Sequence, residues 1–367
     1  MRCKLVLAAA GLGVVLSAAN AEAGPTGSGV SDGNYLEPWA VEPLVVPGND
    51  GLGSANAFSG VGQINIGGGR CSGSLLSTRQ HVLSAAHCFT NDAGDPTFSL
   101  GGVSVDFDGS GSSYSAVGVS NVFIHPDWAG ENNNGILDGN DLAIIELASE
   151  FTDSSVSGYD LYTGSDEVNQ IFDVAGFGLT GTGANGDNGT GLGTRRAGQN
   201  SFDRAAGPGS NQLQFDFDNG LAANDGFFFL NGVDVDNQLG VDNEVMIAPG
   251  DSGGGLFICD DTVANTGCAI AGVTSYRGRF GNLSDVNGQL DSSFGEIGGA
   301  TRVSAFVDYI ENIIFDDTQT GTQSDGDGGD DQLPSQDLRS IPAPSVALLA
   351  ALAALLLVRW APRTRRF

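Results

Sequence analysis

Pro249-Gly250-Asp251-Ser252-Gly253-Gly254-Gly255 is the most informative stretch of this 367-residue chain. Its glycines permit the backbone angles that aim consecutive N–H groups at one point, and a generic glycine-rich turn does not explain the Asp-Ser pair between them. A serine presented this way needs an imidazole to activate it and a carboxylate to orient that imidazole. Two upstream segments offer these in chain order. Leu83-Ser84-Ala85-Ala86-His87-Cys88 sets a histidine among small residues that let the backbone pack closely, beside a cysteine able to pin it. Asn140-Asp141-Leu142-Ala143-Ile144-Ile145-Glu146-Leu147 sets a carboxylate at the head of an apolar run that would draw it inside, where an imidazole N–H would offset its desolvation. Alone, His87 reads more readily as structural and Asp141 equally well as a turn residue. The three together, in order, point to nucleophilic chemistry.

Working outward, the 57 glycines punctuate short Val/Ile/Phe-rich runs. Gly62 to Ile66, His81 to Ser84, Leu142 to Leu147, Phe172 to Phe177, Gln212 to Phe217 and Ala269 to Ser275 each read as a strand bounded by turn residues. The spacing predicts an all-β body, and closed barrels would manage the edges of so many strands. From Thr301 to Phe315 the apolar residues Val303, Phe306, Val307, Ile310, Ile313 and Ile314 fall at helical spacing, predicting one amphipathic helix.

LSAAHC, NDLAIIEL and GDSGG, in this order, resemble the chymotrypsin/trypsin family of serine peptidases. Supporting matches are Cys71-Ser72-Gly73-Ser74-Leu75-Leu76, His125-Pro126, Gly176-Phe177-Gly178 and Gly272-Val273-Thr274-Ser275-Tyr276. The resemblance implies two six-stranded antiparallel β-barrels with the terminal helix, and a cleft between the barrels. It implies His87 as general base, Asp141 as its orienter, Ser252 as nucleophile, and the N–H groups of Gly250 and Ser252 as the oxyanion hole, acting on a protein or peptide substrate without metal or cofactor. It places Met246, Ser275, Tyr276 and Arg277 at the substrate. Met246 stands where trypsin-like members have an aspartate, and Arg277 where the family often has glycine. A non-tryptic preference follows, with small, apolar or acidic side chains as candidates. It also makes Asp251 the partner of an N-terminal ammonium freed by activation cleavage. No Lys or Arg occurs between Gly24 and Gly69 to mark such a cut, although Val45-Val46-Pro47-Gly48 lies at about the right distance. A non-catalytic surface-binding homologue and an esterase on the same fold are the competing functions.

Around residues 61–316, the expected peptidase domain, the ends read differently. Residues 1–23 combine Arg2 and Lys4, an apolar run and Ala21-Glu22-Ala23, the pattern of a cleaved secretory signal. Residues 24–60 are then an extension or propeptide. Residues 317–340 are Asp/Gly/Gln/Ser-rich and predicted to be a disordered linker. Residues 341–367 run from Ile341-Pro342-Ala343-Pro344 through an Ala/Leu-rich stretch to an arginine cluster, predicting a transmembrane segment with the body outside. That tail resembles PEP-CTERM bacterial sorting signals, which implies an exosortase-type processing enzyme as partner. With the signal removed, Cys71, Cys88, Cys259 and Cys268 remain, an even number whose simplest pairing joins neighbours. Neither pair has Cys-x-x-Cys spacing and only three histidines exist, which speaks against a structural zinc site. A formal charge of −29 argues against nucleic acid or anionic lipid as partners of the body.

Overall fold

The structure, a computed structural model, describes residues 58–107, 117–228, 239, 244–259, 267–280 and 284–315, with the backbone of Val15–Ala18 and Val30–Ser31. The expected linker and tail, and nearly all of the expected signal and extension, lie outside these residues. Among the described residues no helix is long and apolar enough to cross a membrane.

Six antiparallel strands, β1 (Val61–Ile66), β2 (Gly69–Leu75), β3 (His81–Ser84), β4 (Val103–Asp106), β5 (Val117–Ile124) and β6 (Ala143–Leu147), close a barrel in the order β1-β2-β3-β6-β5-β4. Alternation is clearest in β4, where Val103 and Val105 turn inward and Ser104 and Asp106 do not. The barrel is filled by aliphatic residues such as Val61, Ile64, Leu75, Val82 and Ile145, all shut off from solvent.

The second half is a sheet of β7 (Ile171–Gly176), β8 (Arg196–Ser201), β9 (Arg204–Ala206), β10 (Gln212–Asp216), β11 (Gly255–Cys259), β12 (Cys268–Arg279) and β13 (Ile297–Arg302). Its pairing runs β8-β7-β11-β12-β13-β10-β9. Only Phe202 and Asp203 separate β8 from β9, so the two ends of this path are consecutive halves of one bent strand. At the bend the partners change sides: Phe202 N–H donates to Gln170 O and Asp203 N–H to Gln214 O. The expected pair of six-stranded barrels is thus one closed barrel and one sheet that strand pairing leaves open at this bend. Phenylalanines fill it, with Phe172 stacked on Phe202 at 4.2 Å between ring centres and edge-on to Phe215 at 4.9 Å. Short strands flank β12: Asp160–Leu161 runs parallel to Ala269–Ile270, and Val15–Ala18 runs antiparallel to Arg279–Tyr276.

The C-terminal helix is shorter than its apolar pattern predicts. Thr301 and Arg302 finish β13, where their backbone pairs with Val273 and Gly272, and a 3₁₀ turn at Val303–Ala305 precedes α1 (Val307–Ile314). The periodicity is nonetheless that of burial: Val303, Phe306 and Ile310 join the core of the first barrel. Arg195, buried just before β8, links the halves by donating from Nη1 to the carbonyls of Ser59 (2.9 Å), Val61 (3.2 Å) and Phe107 (2.9 Å). Both disulfides pair as expected. Cys71–Cys88 joins β2 to the turn after β3, and Cys259–Cys268 bridges β11 and β12.

Candidate active site

His87 lies in the 3₁₀ turn Ala86–Phe89 that follows β3. Ala85 and Ala86 are fully buried, so the turn presses against the body with no side-chain bulk, and the Cys71–Cys88 disulfide fixes its next residue. Asp141 lies two residues before β6 and has no solvent exposure. Its Oδ1 accepts the His87 backbone N–H at 2.9 Å and its Oδ2 accepts from His87 Nδ1 at 2.7 Å. Ser275, on β12, donates its hydroxyl to the same Oδ2 at 2.5 Å, and Thr301 donates to the Asp141 carbonyl at 2.8 Å. Three donors on one carboxylate answer the cost of burying its charge. Two of them come from His87, which fixes the ring so that Nδ1 faces inward and Nε2 faces away.

The segment 250–255 is a tight loop leading into β11. Gly250 and Gly253 have φ of +102° and +80°. At Gly253 the requirement is also steric, because a Cβ there would sit 2.2 Å from Ser84 Oγ and 2.5 Å from Ser72 O. The loop's amides of Asp251, Gly253 and Gly254 donate to Ala248 O, Thr274 O and Asp251 O at 3.1, 2.8 and 2.7 Å. Ser72 on β2 ties the loop to the first barrel: its N–H donates to Ser252 O and its Oγ to Gly250 O, both at 2.8 Å. The result brings His87 and Ser252 to the same sulfur. Cys88 Sγ lies 3.9 Å from His87 Nε2 and 3.8 Å from Ser252 O. Ser252 is 2 % exposed, and its hydroxyl has no hydrogen-bond partner among the described residues. A nucleophile–base bond is often loose without substrate, so the unbonded hydroxyl is compatible with turning toward the imidazole.

Asp251 is buried with its carboxylate accepting the N–H groups of Gly178 (3.1 Å) and Ala248 (3.0 Å). Its expected ammonium partner, from residues near 45–48, falls outside the described residues.

Beside Ser252 lies a small pocket lined by Ile247, Ala248, Pro249, Thr274, Ser275, Tyr276 and Arg277. Ser275, Tyr276 and Arg277 are among the residues that line it. Met246 is fully buried in the core of the second sheet, and its neighbours Ile247 and Ala248 line the pocket. Arg277 Nη1 donates to Asp187 Oδ2 at 2.9 Å and to Ser292 Oγ at 2.7 Å. Tyr276 is a packing residue, buried over Gly299, with its hydroxyl among the side-chain amides of Gln212 and Gln214.

Several participants were not singled out from sequence. Ser72 was quoted only as part of a motif, and Ser275 was assigned to substrate rather than to Asp141. Glu131, half buried in the loop after β5, is held above the usual carboxylate range by burial and pulled down by the His87 imidazole, which places it within electrostatic reach of the site. No local pattern marks such residues, because each contact joins segments far apart in the chain. Cys71, His87 and Cys88 bring potential ligand atoms within 4.8 Å of one another, yet both sulfurs are consumed by the disulfide and neither can serve as a thiolate.

The family model described as Trypsin matches residues 53–310. Serine protease Hayan of Drosophila melanogaster is 31% identical over 254 residues, 67% of this chain and 34% of its own length. Chymotrypsin-C of Bos taurus is 40% identical over 79 residues, 21% of this chain and 26% of its own. The matches span about a third of the first relative and a quarter of the second.

Proposed function

This chain belongs to the trypsin family, and from that premise we propose that it is an exported serine endopeptidase cleaving peptide bonds through a Ser252 acyl-enzyme. The observation that carries the proposal is the Asp141 carboxylate. It is closed off from solvent, accepts two N–H groups of His87 and a hydroxyl of Ser275, and so holds the far ring nitrogen toward the sulfur that also touches Ser252.

In this reading His87 Nε2 takes the proton from Ser252 Oγ as Oγ attacks the scissile carbonyl carbon. The imidazolium is stabilised by Asp141, which stays ionised. The N–H groups of Gly250 and Ser252 receive the oxyanion, since the loop's other amides are committed to carbonyls. His87 then returns the proton to the leaving amine. Water, deprotonated by the same nitrogen, releases the acyl group and restores Ser252. The pocket beside Ser252 takes the side chain of the residue contributing the carbonyl, here called P1. Among the described residues no carboxylate lines that pocket, which supports a non-tryptic preference.

Export is proposed from the leader pattern of residues 1–23 and the two disulfides, and anchoring from the apolar tail. Activation is proposed to follow a cut near Val45-Val46-Pro47-Gly48, the new ammonium pairing with Asp251, a step that N-terminal sequencing of the active form tests. The central experiment is labelling with a fluorophosphonate probe beside peptide cleavage. Wild type should label and cleave and Ser252→Ala should do neither; an unlabelled, folded wild type would favour the binding-module alternative.

A further inference from the structure

Three features of the pocket beside Ser252 are unexplained by the catalytic steps. First, Thr274 lines it, is 3 % exposed, and its hydroxyl has no hydrogen-bond partner among the described residues. A buried hydroxyl without a partner is costly, and this one borders the space a substrate would fill. Second, Arg277 is the one charged residue among the lining residues. Third, Arg277 is held in place from two directions. Asp187 takes one hydrogen bond from Nη1, and Ser292 takes another while donating its own hydroxyl to Ile247 O at 2.8 Å, in the pocket wall. Only Nη1 is engaged, so the Nε and Nη2 donors of the guanidinium fork remain uncommitted among the described residues.

From this geometry we propose that Arg277 and Thr274 are specificity-determining residues that select a P1 side chain bearing a carboxylate. The inference rests on the reading of Ser252 as nucleophile and deepens it by naming the substrate class. A guanidinium anchored at one nitrogen can still offer two parallel N–H donors to a second carboxylate, the arrangement for which its planar fork is suited. The Thr274 hydroxyl would supply a further donor. A lysine or arginine at P1 would meet a like charge with no lining carboxylate to offset it. A large apolar side chain would leave the Thr274 hydroxyl buried and unmet, and would desolvate part of Arg277 for no return.

Two other carboxylates face the same guanidinium. The side chains of Arg277 and Asp187 are each 16 % exposed, so their pair is partly solvated and only partly neutralises the cation. Glu296 lies within its electrostatic reach, but burial pushes that carboxyl up to about 8, which leaves it largely protonated at neutral pH and no strong competitor. The net charge of −29 would repel an acidic peptide at long range, but salt limits that effect to about 8–10 Å. Selection would therefore fall to contacts inside the pocket.

The test uses one peptide series differing only at P1, with Glu, Asp, Gln, Ala, Phe and Lys, assayed by kcat/KM on active protein titrated with a fluorophosphonate. Expected is a preference for Glu or Asp over Gln of about tenfold or more, with Lys poorest, and the Glu and Asp arms reporting how deep the carboxylate sits. Arg277→Gln should bring the Glu-to-Gln ratio close to one, Thr274→Val should lower it, and Asp187→Asn, which frees the cation, should raise it. A labelled enzyme that prefers Gln, Ala or Phe over Glu overturns this proposal alone, as does an Arg277→Gln ratio equal to that of wild type. A wild type that neither labels nor cleaves overturns this proposal together with the catalytic one. Because Asp187→Asn and Arg277→Gln are expected to move the ratio in opposite directions, a general loss of folding cannot imitate the result.

Discussion

Replacing Ser275 by alanine removes one of three donors to the Asp141 carboxylate. The lost bond is short, 2.5 Å, and its acceptor belongs to a side chain with no solvent exposure, so no bulk water takes the donor's place. Hydrogen bonds to charged groups contribute about 1.5–3 kcal/mol. If that whole amount were lost on forming the imidazolium, kcat/KM would fall by roughly 10- to 150-fold at about 1.4 kcal/mol per decade. That is the upper limit, because the two His87 contacts at 2.9 and 2.7 Å still hold the ring. The matched control is Thr301→Val. Thr301 donates to the main-chain carbonyl of the same residue at 2.8 Å, a neutral bond whose loss should cost about 1 kcal/mol of stability and leave the carboxylate untouched. The assay is the acylation burst with a small activated ester, which depends little on the pocket, beside urea denaturation of both variants. Acylation should slow at least severalfold in Ser275→Ala and less than threefold in Thr301→Val. Equal slowing in the two, or a Ser275→Ala rate within twofold of wild type, would show that the third donor does not serve the imidazole.

Three further outcomes are expected. Gly253→Ala places a methyl 2.2 Å from Ser84 Oγ at a φ of +80°, so labelling of Ser252 should drop at least a hundredfold while the far-ultraviolet circular dichroism of the strands persists. Replacing Cys71 and Cys88 together by alanine opens a loop of 17 residues and should lower unfolding stability by about 3 kcal/mol, read as a shift in urea midpoint. Stability should fall as pH rises from about 5 to 8. Burial, with neighbouring carboxylates including Asp218, pushes Asp203 and Glu244 up to about 8, and burial does the same to Glu296. The unfolded chain releases these protons near pH 4 and the folded chain near 8. Their stabilisation is therefore complete below about 4 and lost through 8, at up to about 1.4 kcal/mol per pH unit for each group. A urea midpoint that rises between pH 5 and 8 would contradict the burial of these groups as acids.

The strands were legible because each buries a short apolar run: the reading of His81 to Ser84 coincides with β3, and that of Gln212 to Phe217 differs from β10 by one residue. The helix starts later than expected because Thr301 and Arg302, directly ahead of the apolar rhythm, carry no stop signal while their backbone pairing belongs to β13, and periodicity records burial rather than pairing. His87, Asp141 and the 250–255 loop stood out because they combine unusual residue types locally. Met246 is less legible for the opposite reason. Position relative to Ser252 suggests a pocket residue, but which side chains of 246–248 turn inward depends on packing against Phe172 and Phe215 on other strands. Glu131, Asp187 and Ser292 acquire meaning only through contacts with residues 44, 90 and 15 positions away.

Ser72 gives the two halves of this molecule a common fastening. One residue of the first barrel grips the carbonyls on either side of Asp251, and its own carbonyl receives the Ser84 hydroxyl from the strand that leads to His87. Any shear between the lobes must therefore displace nucleophile and imidazole before it unravels a single strand. Acylation rate becomes a strain gauge for the cleft: gentle denaturant or pressure should silence the chemistry while spectroscopy still reports an intact architecture.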